Sequence, residues 1–184
     1  MCDNSREAKP QQNGRVRVCF VCSGNICRSP TAEAIFVALL REHGVEGVDV
    51  DSAGTGAWHV GSDMDERARA TLQAHGYPYP RHVAKQFTAA DFATRDLVVA
   101  LDGGHAIRLA ALAEQTDDPR RAAGKIVLLR SFDPQAVADE DLDVPDPYFD
   151  GADGFVEVLQ QIQRACRGLL RSARLGQQTL SAPW

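Results

Sequence analysis

The stretch Val18-Cys-Phe-Val-Cys-Ser-Gly-Asn-Ile-Cys-Arg-Ser-Pro30 decides the fold of this chain. Residues 15–21 predict a short buried strand, and residues 22–28 form a polar loop behind it. Ser29 and Pro30 predict the start of a helix, since serine is a common N-cap residue and proline suits the first helical position. A strand, a short loop and a helix in this order indicate an α/β unit.

The rest of the chain continues this alternation of strands and helices. Further short strands are predicted at residues 48–52, 97–101 and 126–129, with helical segments between them. Residues 130–151 are expected to form a long loop, and the apolar stripe of residues 155–170 predicts a final helix. The pattern predicts an α/β fold with a central, mostly parallel four-stranded sheet and helices on both faces. Such sheets bind ligands at the carboxyl ends of their strands, where the loop after the first strand lies.

Length and composition predict a single globular domain. The chain has 184 residues, of which 44% are hydrophobic and 24% are charged, as is usual for one folded unit. We expect a disordered N-terminal tail at 1–14, a domain at 15–175 and a C-terminal tail at 176–184. The formal net charge of -5 disfavours nucleic acid and anionic membrane surfaces as partners.

The cysteines and the polar start of the sequence predict a cytoplasmic protein. No apolar run is long enough to span a membrane, and the first residues do not resemble a secretion signal. The five cysteines are odd in number and lack the spacing of a disulfide framework, which favours reduced thiols. Histidines are few and scattered, so we expect no metal and no cofactor.

The loop between the first strand and the first helix has the composition of an anion-binding site. A loop of this size can curl so that successive backbone N–H groups point inward and form a cup with the helix N-terminus. Cys22 would lie at the base of the cup as a nucleophilic thiolate, and Arg28 would hold two phosphate oxygens with its planar fork. No Gly-Lys-Ser/Thr follows, so the loop is not a nucleotide-binding loop of the Walker type. The N–H groups would come from Ser23, Gly24, Asn25, Ile26 and Cys27.

The motif Cys22-Ser-Gly-Asn-Ile-Cys-Arg-Ser-Pro30 closely resembles the signature of low-molecular-weight protein tyrosine phosphatases. The resemblance extends over roughly residues 16–170 and implies hydrolysis of phosphotyrosine through a cysteinyl-phosphate intermediate. Several motifs in the right order are more specific than one. The others are Asp51-Ser-Ala-Gly-Thr55, His82-Val-Ala-Lys-Gln86, Ala100-Leu-Asp102, Ser131-Phe-Asp-Pro-Gln135 and Val144-Pro-Asp-Pro-Tyr148.

The resemblance also implies a general acid. Asp146, in Asp146-Pro-Tyr148, matches the carboxyl group that protonates the leaving oxygen and later activates water. The flanking Pro145 and Pro147 would stiffen the backbone around it. Asp143 and Asp150 are neighbouring carboxyl groups that do not match the motif.

Further roles follow from the same resemblance. Asn25, Ser52 and His82 would fix the loop, and Ser29 would stabilise the thiolate when it leaves phosphorus. Cys27 would form a reversible disulfide with Cys22 that protects the nucleophile from overoxidation. The sequence departs from the family pattern at Lys85, where arginine is frequent, and at His105, where asparagine is common. The aromatic walls of the substrate cleft would be Trp58, Tyr148 and Phe149.

Three alternatives share the expected fold. A thioredoxin-coupled arsenate reductase would need two further cysteines at about residues 80–100, where this sequence has none. A protein-arginine phosphatase carries threonine at the position of Ile26, so the isoleucine favours tyrosine. An inactive phosphotyrosine-binding module would not need Cys22, Arg28 and Asp146 together. The expected partners are a phosphotyrosine-containing protein and a bound phosphate or other oxyanion, and the chain is expected to act as a monomer.

Overall fold

The computed structural model of the protein describes residues 15–77, 81–149 and 151–180. For residues 149, 152 and 173–180 it describes the backbone alone. The predicted N-terminal tail, 1–14, lies outside the described residues. The final helix continues to Leu180, so it includes the first residues of the predicted C-terminal tail, and residues 181–184 lie outside the described part.

Four parallel strands form one sheet in the order β2-β1-β3-β4. This confirms the predicted α/β fold with a parallel four-stranded sheet. In β1, the residues Cys19, Phe20 and Val21 are completely buried, as expected for a central strand that is covered on both faces. The strands are β1 (Val16–Cys22), β2 (Val48–Gly54), β3 (Leu97–Ala100) and β4 (Ile126–Leu128).

Helices cover both faces of the sheet, which confirms the predicted layers. Phe20 points to the face covered by the first and last helices, where it packs edge-to-face against Phe36. Val21 points to the other face, where the core includes Leu109. The helices are α1 (Arg28–Glu42), α2 (Glu66–Ala74), α3 (Gly103–Ala113), α4 (Pro119–Ala123), α5 (Pro134–Ala138) and α6 (Ala152–Leu180), with 3-10 turns at Ala89–Thr94, Leu129–Phe132 and Pro147–Phe149.

The segment 130–151 is more structured than the predicted long loop. It contains α5, most of the 3-10 turn Leu129–Phe132 and the whole 3-10 turn Pro147–Phe149, and α4 was also not predicted. Both short helices start at an Asp-Pro pair, in which the aspartate accepts a hydrogen bond from a backbone N–H of the first turn. Asp118 accepts from the N–H of Arg121, and Asp133 accepts from the N–H of Gln135. The Asp-Pro pairs are therefore helix starts, because proline fits the first turn and aspartate caps it.

The carboxyl ends of β1, β2 and β3 meet at one edge of the sheet. β1 is the switch point, because β2 lies on one side of it and β3 on the other. The loop after β1 is tied to the chain after β2 by the N–H of Gly56, which donates to the carbonyl of Ser23 at 2.9 Å. The N–H of Val144 donates to the carbonyl of Leu101 at 2.8 Å and brings the segment after α5 to the same edge. Ligands of open α/β sheets bind at such an edge.

Over the described ranges of the chain, no helix has both the length and the apolar character needed to cross a lipid bilayer.

The close packing of α6 depends on a glycine. The backbone of α6 lies so near the turn Leu129–Phe132 that a Cβ atom on Gly168 would be 1.8 Å from the carbonyl oxygen of Phe132. Two heavy atoms that are not bonded to each other cannot lie so close, so a side chain at this position would push the helix away from the turn.

We predict that Gly168→Ala destabilises the protein by about 1–3 kcal/mol, because the added methyl group overpacks the contact between α6 and the turn. At a solvent-exposed helix position the same change would stabilise the protein by about 1 kcal/mol. The sign of the change in the free energy of unfolding therefore distinguishes the two cases. Urea denaturation measures the difference. Gly151→Ala is the matched control, since nothing lies within 4 Å of its Cβ position, and a Gly168→Ala protein as stable as this control would contradict the packing argument.

Candidate active site

The loop 23–27 between β1 and α1 adopts a shape that only certain residues allow. Asn25 has a positive φ of 57°, in the left-handed region that asparagine tolerates better than most residues. The loop rests directly on Gly54, where a Cβ atom would lie 2.7 Å from the carbonyl oxygen of Ser23 and 3.1 Å from the backbone nitrogen of Asn25. The glycine of the motif Asp51-Ser-Ala-Gly-Thr55 is thus required by the close approach of the loop.

The side chain of Asn25 holds the loop from inside. It is fully buried, and its amide nitrogen donates to Ser29 Oγ at 3.0 Å and to Ser52 Oγ at 2.9 Å. Its amide oxygen accepts from the N–H of Lys85 at 2.9 Å. His82 Nε2 lies 2.7 Å from the carbonyl oxygen of the same residue. The structure therefore brings together Asn25, Ser29, Ser52 and His82, the four polar residues that the sequence suggested.

One member of this network was not found from the sequence. Ser52 Oγ donates to a carboxylate oxygen of Glu33 on α1 at 2.6 Å. The bond fixes the proton of Ser52 toward Glu33, which leaves a lone pair of its oxygen for the amide of Asn25. A glutamate in the second turn of a helix gives no sequence signal for this contact.

The predicted helix cap at Ser29 is wrong. The helix begins at Arg28, with Cys27 at the N-cap position and no side chain capping it. The Ser29 hydroxyl lies instead 3.0 Å from Cys22 Sγ and 3.2 Å from the carbonyl oxygen of Ala53. It is engaged beneath the loop and cannot also reach the free N–H groups at the start of the helix.

Cys22 lies at the base of the loop, as the sequence predicts. Its side chain is buried, with the residue only 3% exposed. The sulfur accepts from the N–H of Asn25 at 3.3 Å and contacts the Ser29 hydroxyl. The base of the loop therefore holds the sulfur in contact with one backbone donor and one hydroxyl group.

Arg28 lies between two carboxylates. Its side chain is 6% exposed, with Nη1 at 2.7 Å from Asp102 Oδ2 and Nη2 at 2.8 Å from Asp146 Oδ2. Nη1 also donates to the carbonyl oxygen of Val144 at 3.1 Å. A buried guanidinium needs such partners, and they fix its plane at the mouth of the loop.

Asp102 is ionised near neutral pH and can therefore pair with Arg28 throughout this range. Burial would raise the pKa of Asp102, but hydrogen bonds from His105 and the positive charges nearby outweigh burial and lower the pKa to about 2. The carboxylate is therefore ionised over the whole neutral range. Asp102 thereby orients the guanidinium of Arg28 from below.

Asp146 approaches from a separate segment that is itself braced. Arg130 is buried and bonds both the Asp141 carboxylate and the backbone carbonyl of Asp143. Asp143 Oδ1 accepts from the N–H of Gly103 at 2.7 Å, so this carboxylate is occupied at the start of α3. Asp146 is the carboxylate of the described segment that contacts Arg28, and Asp150 lies outside the described residues.

A cavity of about 320 Å³ opens above the loop. Trp58 and Tyr148 line it and are 66% and 42% exposed, so aromatic faces are available to a ligand. Phe149 belongs to the neighbouring 3-10 turn, and its side chain lies outside the described part. The lining residues are Cys22, Ser23, Gly24, Ile26, Cys27, Arg28, Trp58, His59, Asp146 and Tyr148.

Two residues near the cavity were missed from the sequence. His59 lines its wall. Arg67 donates to the carbonyl oxygen of Tyr148 at 3.1 Å, and its guanidinium lies 5.4 Å from the centre of the Tyr148 ring and 4.7 Å from that of Phe155. Arg67 thus ties α2 to the turn that follows Asp146.

Cys27 lines the same cavity as Cys22, its expected disulfide partner. The four cysteines of the described residues are free thiols. Burial, followed by the negative charge of Asp65, raises the pKa of Cys27 to about 12. Cys27 therefore keeps its proton at neutral pH.

Comparison with known proteins agrees with this fold and shows the family. Residues 17–180 match the model of the family described as low molecular weight phosphotyrosine protein phosphatase. A relative named low molecular weight protein-tyrosine-phosphatase, from Streptomyces coelicolor, is 53% identical over 159 residues, which is 86% of this chain and 93% of the relative. The chain therefore belongs to the low molecular weight phosphotyrosine protein phosphatase family.

Solved structures share the architecture. A protein tyrosine phosphatase from Entamoeba histolytica superimposes with a TM-score of 0.80 at 31% identity, covering 88% of this chain and 99% of that one. A Drosophila arginine phosphatase superimposes with a TM-score of 0.77 at 34% identity, covering 85% of this chain and 96% of that one.

We predict that Asp146→Ala binds inorganic phosphate about three- to tenfold more tightly than the unchanged protein. The Asp146 carboxylate competes with an oxyanion for Arg28 Nη2 and repels it, so its removal leaves the guanidinium fork available. Isothermal titration calorimetry gives the dissociation constants. Asp143→Ala is the control, because its carboxylate bonds Gly103 instead, and equal affinities for Asp146→Ala and the unchanged protein would show that the ion pair does not limit binding.

Proposed function

We propose that the protein hydrolyses phosphotyrosine in protein substrates, with Cys22 as nucleophile, Arg28 as phosphate clamp and Asp146 as general acid and base. One observation carries this proposal. A buried thiol and a buried guanidinium from the two ends of the loop after β1 line a single cavity with a partly exposed carboxylate from the segment after α5. Family membership supports the same reaction.

In the first step the phosphate enters the cup formed by the N–H groups of residues 23–28, and Arg28 holds two of its oxygens. The Cys22 thiolate attacks phosphorus, a sulfur–phosphorus bond forms and the bond to the tyrosine oxygen breaks. Asp146 gives its proton to the departing phenolate. Charge in this transition state is spread over the phosphoryl oxygens and is stabilised by the guanidinium and the loop.

In the second step water hydrolyses the cysteinyl phosphate. Asp146, now ionised, takes a proton from the water, whose oxygen attacks phosphorus as the sulfur–phosphorus bond breaks. Ser29 Oγ and the N–H of Asn25 contact the sulfur, so they are placed to stabilise the thiolate as it leaves. Inorganic phosphate is then released, and the enzyme returns to its starting form.

The walls of the cavity favour an aromatic phosphate ester. Ile26, Trp58 and Tyr148 present apolar surface around an opening whose reactive thiol is buried at the base. A tyrosine ring can span this depth and stack on aromatic faces, whereas the shorter side chain of phosphoserine cannot. Ile26 also disfavours a guanidinium leaving group, although a Drosophila arginine phosphatase has the same fold.

We also propose that the enzyme acts in the cytoplasm as a monomer, without a metal or cofactor. Free thiols at all four described cysteines support a reducing compartment. Their placement does not fit an arsenate reductase, since no cysteine lies between residues 80 and 100.

A substrate panel tests the proposal. We expect phosphotyrosine peptides to be hydrolysed at least about a hundredfold faster than phosphoserine or phosphoarginine peptides, measured as kcat/KM. Cys22→Ser should abolish turnover of all three, because a serine hydroxyl stays protonated at neutral pH. A preference for phosphoarginine would support the alternative activity, and Cys22→Ser activity within about tenfold of the unchanged enzyme would exclude the proposed nucleophile.

The same assay tests the general acid. Asp146→Asn should lose about 10²–10⁴-fold with phenyl phosphate and much less with a nitrophenyl phosphate, whose phenolate leaves without a proton. Equal losses with both esters would indicate a structural role for Asp146. Asp143→Asn should show no such difference between the esters.

We further propose reversible oxidation at this site. Peroxide converts the Cys22 thiolate to a sulfenic acid, and the Cys27 thiol then displaces water to form a disulfide. We predict that peroxide inactivation of the enzyme is reversed by a thiol reductant but becomes irreversible in Cys27→Ser. Cys166→Ser is the control, because Cys166 is fully buried and does not line the cavity. Peptide mapping that finds no Cys22–Cys27 bridge in the oxidised enzyme would refute this mechanism.

A further inference from the structure

A chain of side chains connects the nucleophile loop to the phosphate clamp through His105. This histidine is buried at 3% exposure in the first turn of α3. Its Nε2 lies 2.9 Å from Ser23 Oγ, and its Nδ1 lies 2.9 Å from Asp102 Oδ1. The other oxygen of Asp102 binds Arg28. Ser23 directly follows the nucleophile and lines the cavity.

The position of the proton on His105 follows from its neighbours. Asp102 is ionised, so its oxygens can only accept hydrogen bonds. The contact at Nδ1 is close but not aligned as an ideal hydrogen bond, and a lone pair on Nδ1 facing the carboxylate at 2.9 Å would be repelled. The neutral ring therefore carries its proton on Nδ1. Its Nε2 is then an acceptor, and the Ser23 hydroxyl must donate to it.

Protonation of the ring reverses this bond. An imidazolium carries hydrogen on both nitrogens, so Nε2 donates to Ser23 Oγ. The hydroxyl proton of Ser23 can no longer point at the histidine. It is free to turn toward the cavity that Ser23 lines, where it can donate to an oxygen of a bound anion.

We propose that His105 is a positioning residue that controls oxyanion binding by setting the direction of the Ser23 hydroxyl, which becomes an additional donor to the anion when His105 is protonated. The inference rests on the proposed function only in taking the cavity as an oxyanion site. Asparagine, common at this position in the family, could hold Ser23 but would not titrate. The device thus belongs to chains that combine Ser23 with His105.

The charged groups around His105 constrain the test. Asp102 contacts it from the end of β3, Arg28 follows from α1, and Asp146 is reached through Arg28. Asp143 lies at the start of α3 through its bond to Gly103. Cys22 adjoins Ser23 and is itself an ionisable group. The test therefore uses proteins that carry Cys22→Ser. This substitution removes the thiol and makes the measurement independent of catalysis.

Sulfate is the probe, because it keeps its two charges between about pH 5 and pH 8 while histidine titrates in this range. In Cys22→Ser protein we expect sulfate to bind more tightly at low pH, by about ten- to a hundredfold beyond the change in Cys22→Ser/Ser23→Ala, as expected for one hydrogen bond to an anion. Isothermal titration calorimetry gives the affinities. His105→Asn should remove the same gain in sulfate affinity at low pH. Adding Ser23→Ala to His105→Asn should leave this pH dependence unchanged, because the two residues act as one unit.

Nitrogen NMR of the histidine rings provides a second readout that needs no stable variant in the loop. We expect neutral His105 to carry its proton on Nδ1, and the extra sulfate affinity to follow its titration. His59 lines the cavity and is present in all of these variants, so its contribution to the pH dependence of sulfate binding cancels in the comparison. The same pH dependence with and without the Ser23 hydroxyl would overturn the proposal, and so would a neutral His105 protonated on Nε2. Failure of phosphotyrosine turnover would leave both measurements intact.

Discussion

A single guanidinium, that of Arg28, joins the three segments of chain that form the site. It is almost completely buried and is held by Asp102 after β3 and by Asp146 after α5. A buried charge without partners would cost several kcal/mol, so the two carboxylates stabilise the guanidinium in its buried position. The two partners are not equivalent, since Asp102 is largely covered and Asp146 is about half exposed. Asp102 therefore orients the fork, while Asp146 can exchange its place with a phosphate oxygen.

Much of the architecture could be predicted from the sequence because its signals are local. The apolar run before Cys22 gives a strand that is buried on both faces, and the loop composition gives the anion cup. The short helices α4 and α5 were missed although their Asp-Pro starts are also local signals, because each is only five residues long. Ser29 carries a cap signal that tertiary structure overrides, since its hydroxyl is needed beneath Cys22.

The remaining parts of the site depend on contacts between residues that are distant in the sequence. Glu33 gives no signal in its helix, and His105 stands out only as a departure from the family pattern. Their contacts with Ser52 and Ser23 appear only when β2 and β3 are placed on either side of β1. Arg67 supports the cavity wall through its contact with the backbone of Tyr148, 81 residues away. No periodicity or spacing rule reports such pairs, so the structure is needed to find them.

The parallel arrangement of the strands also determines when the site can be completed during synthesis. Arg28 is 74 residues from Asp102 and 118 residues from Asp146, and closing such long loops is slow. A nascent chain that has emerged as far as Asp102 contains Cys22, the loop 23–27 and the first partner of the guanidinium, but not Asp146. It also lacks α6, which covers one face of the sheet. The contacts of Arg28 can therefore be completed only late in translation, after the segment that follows α5 has been made.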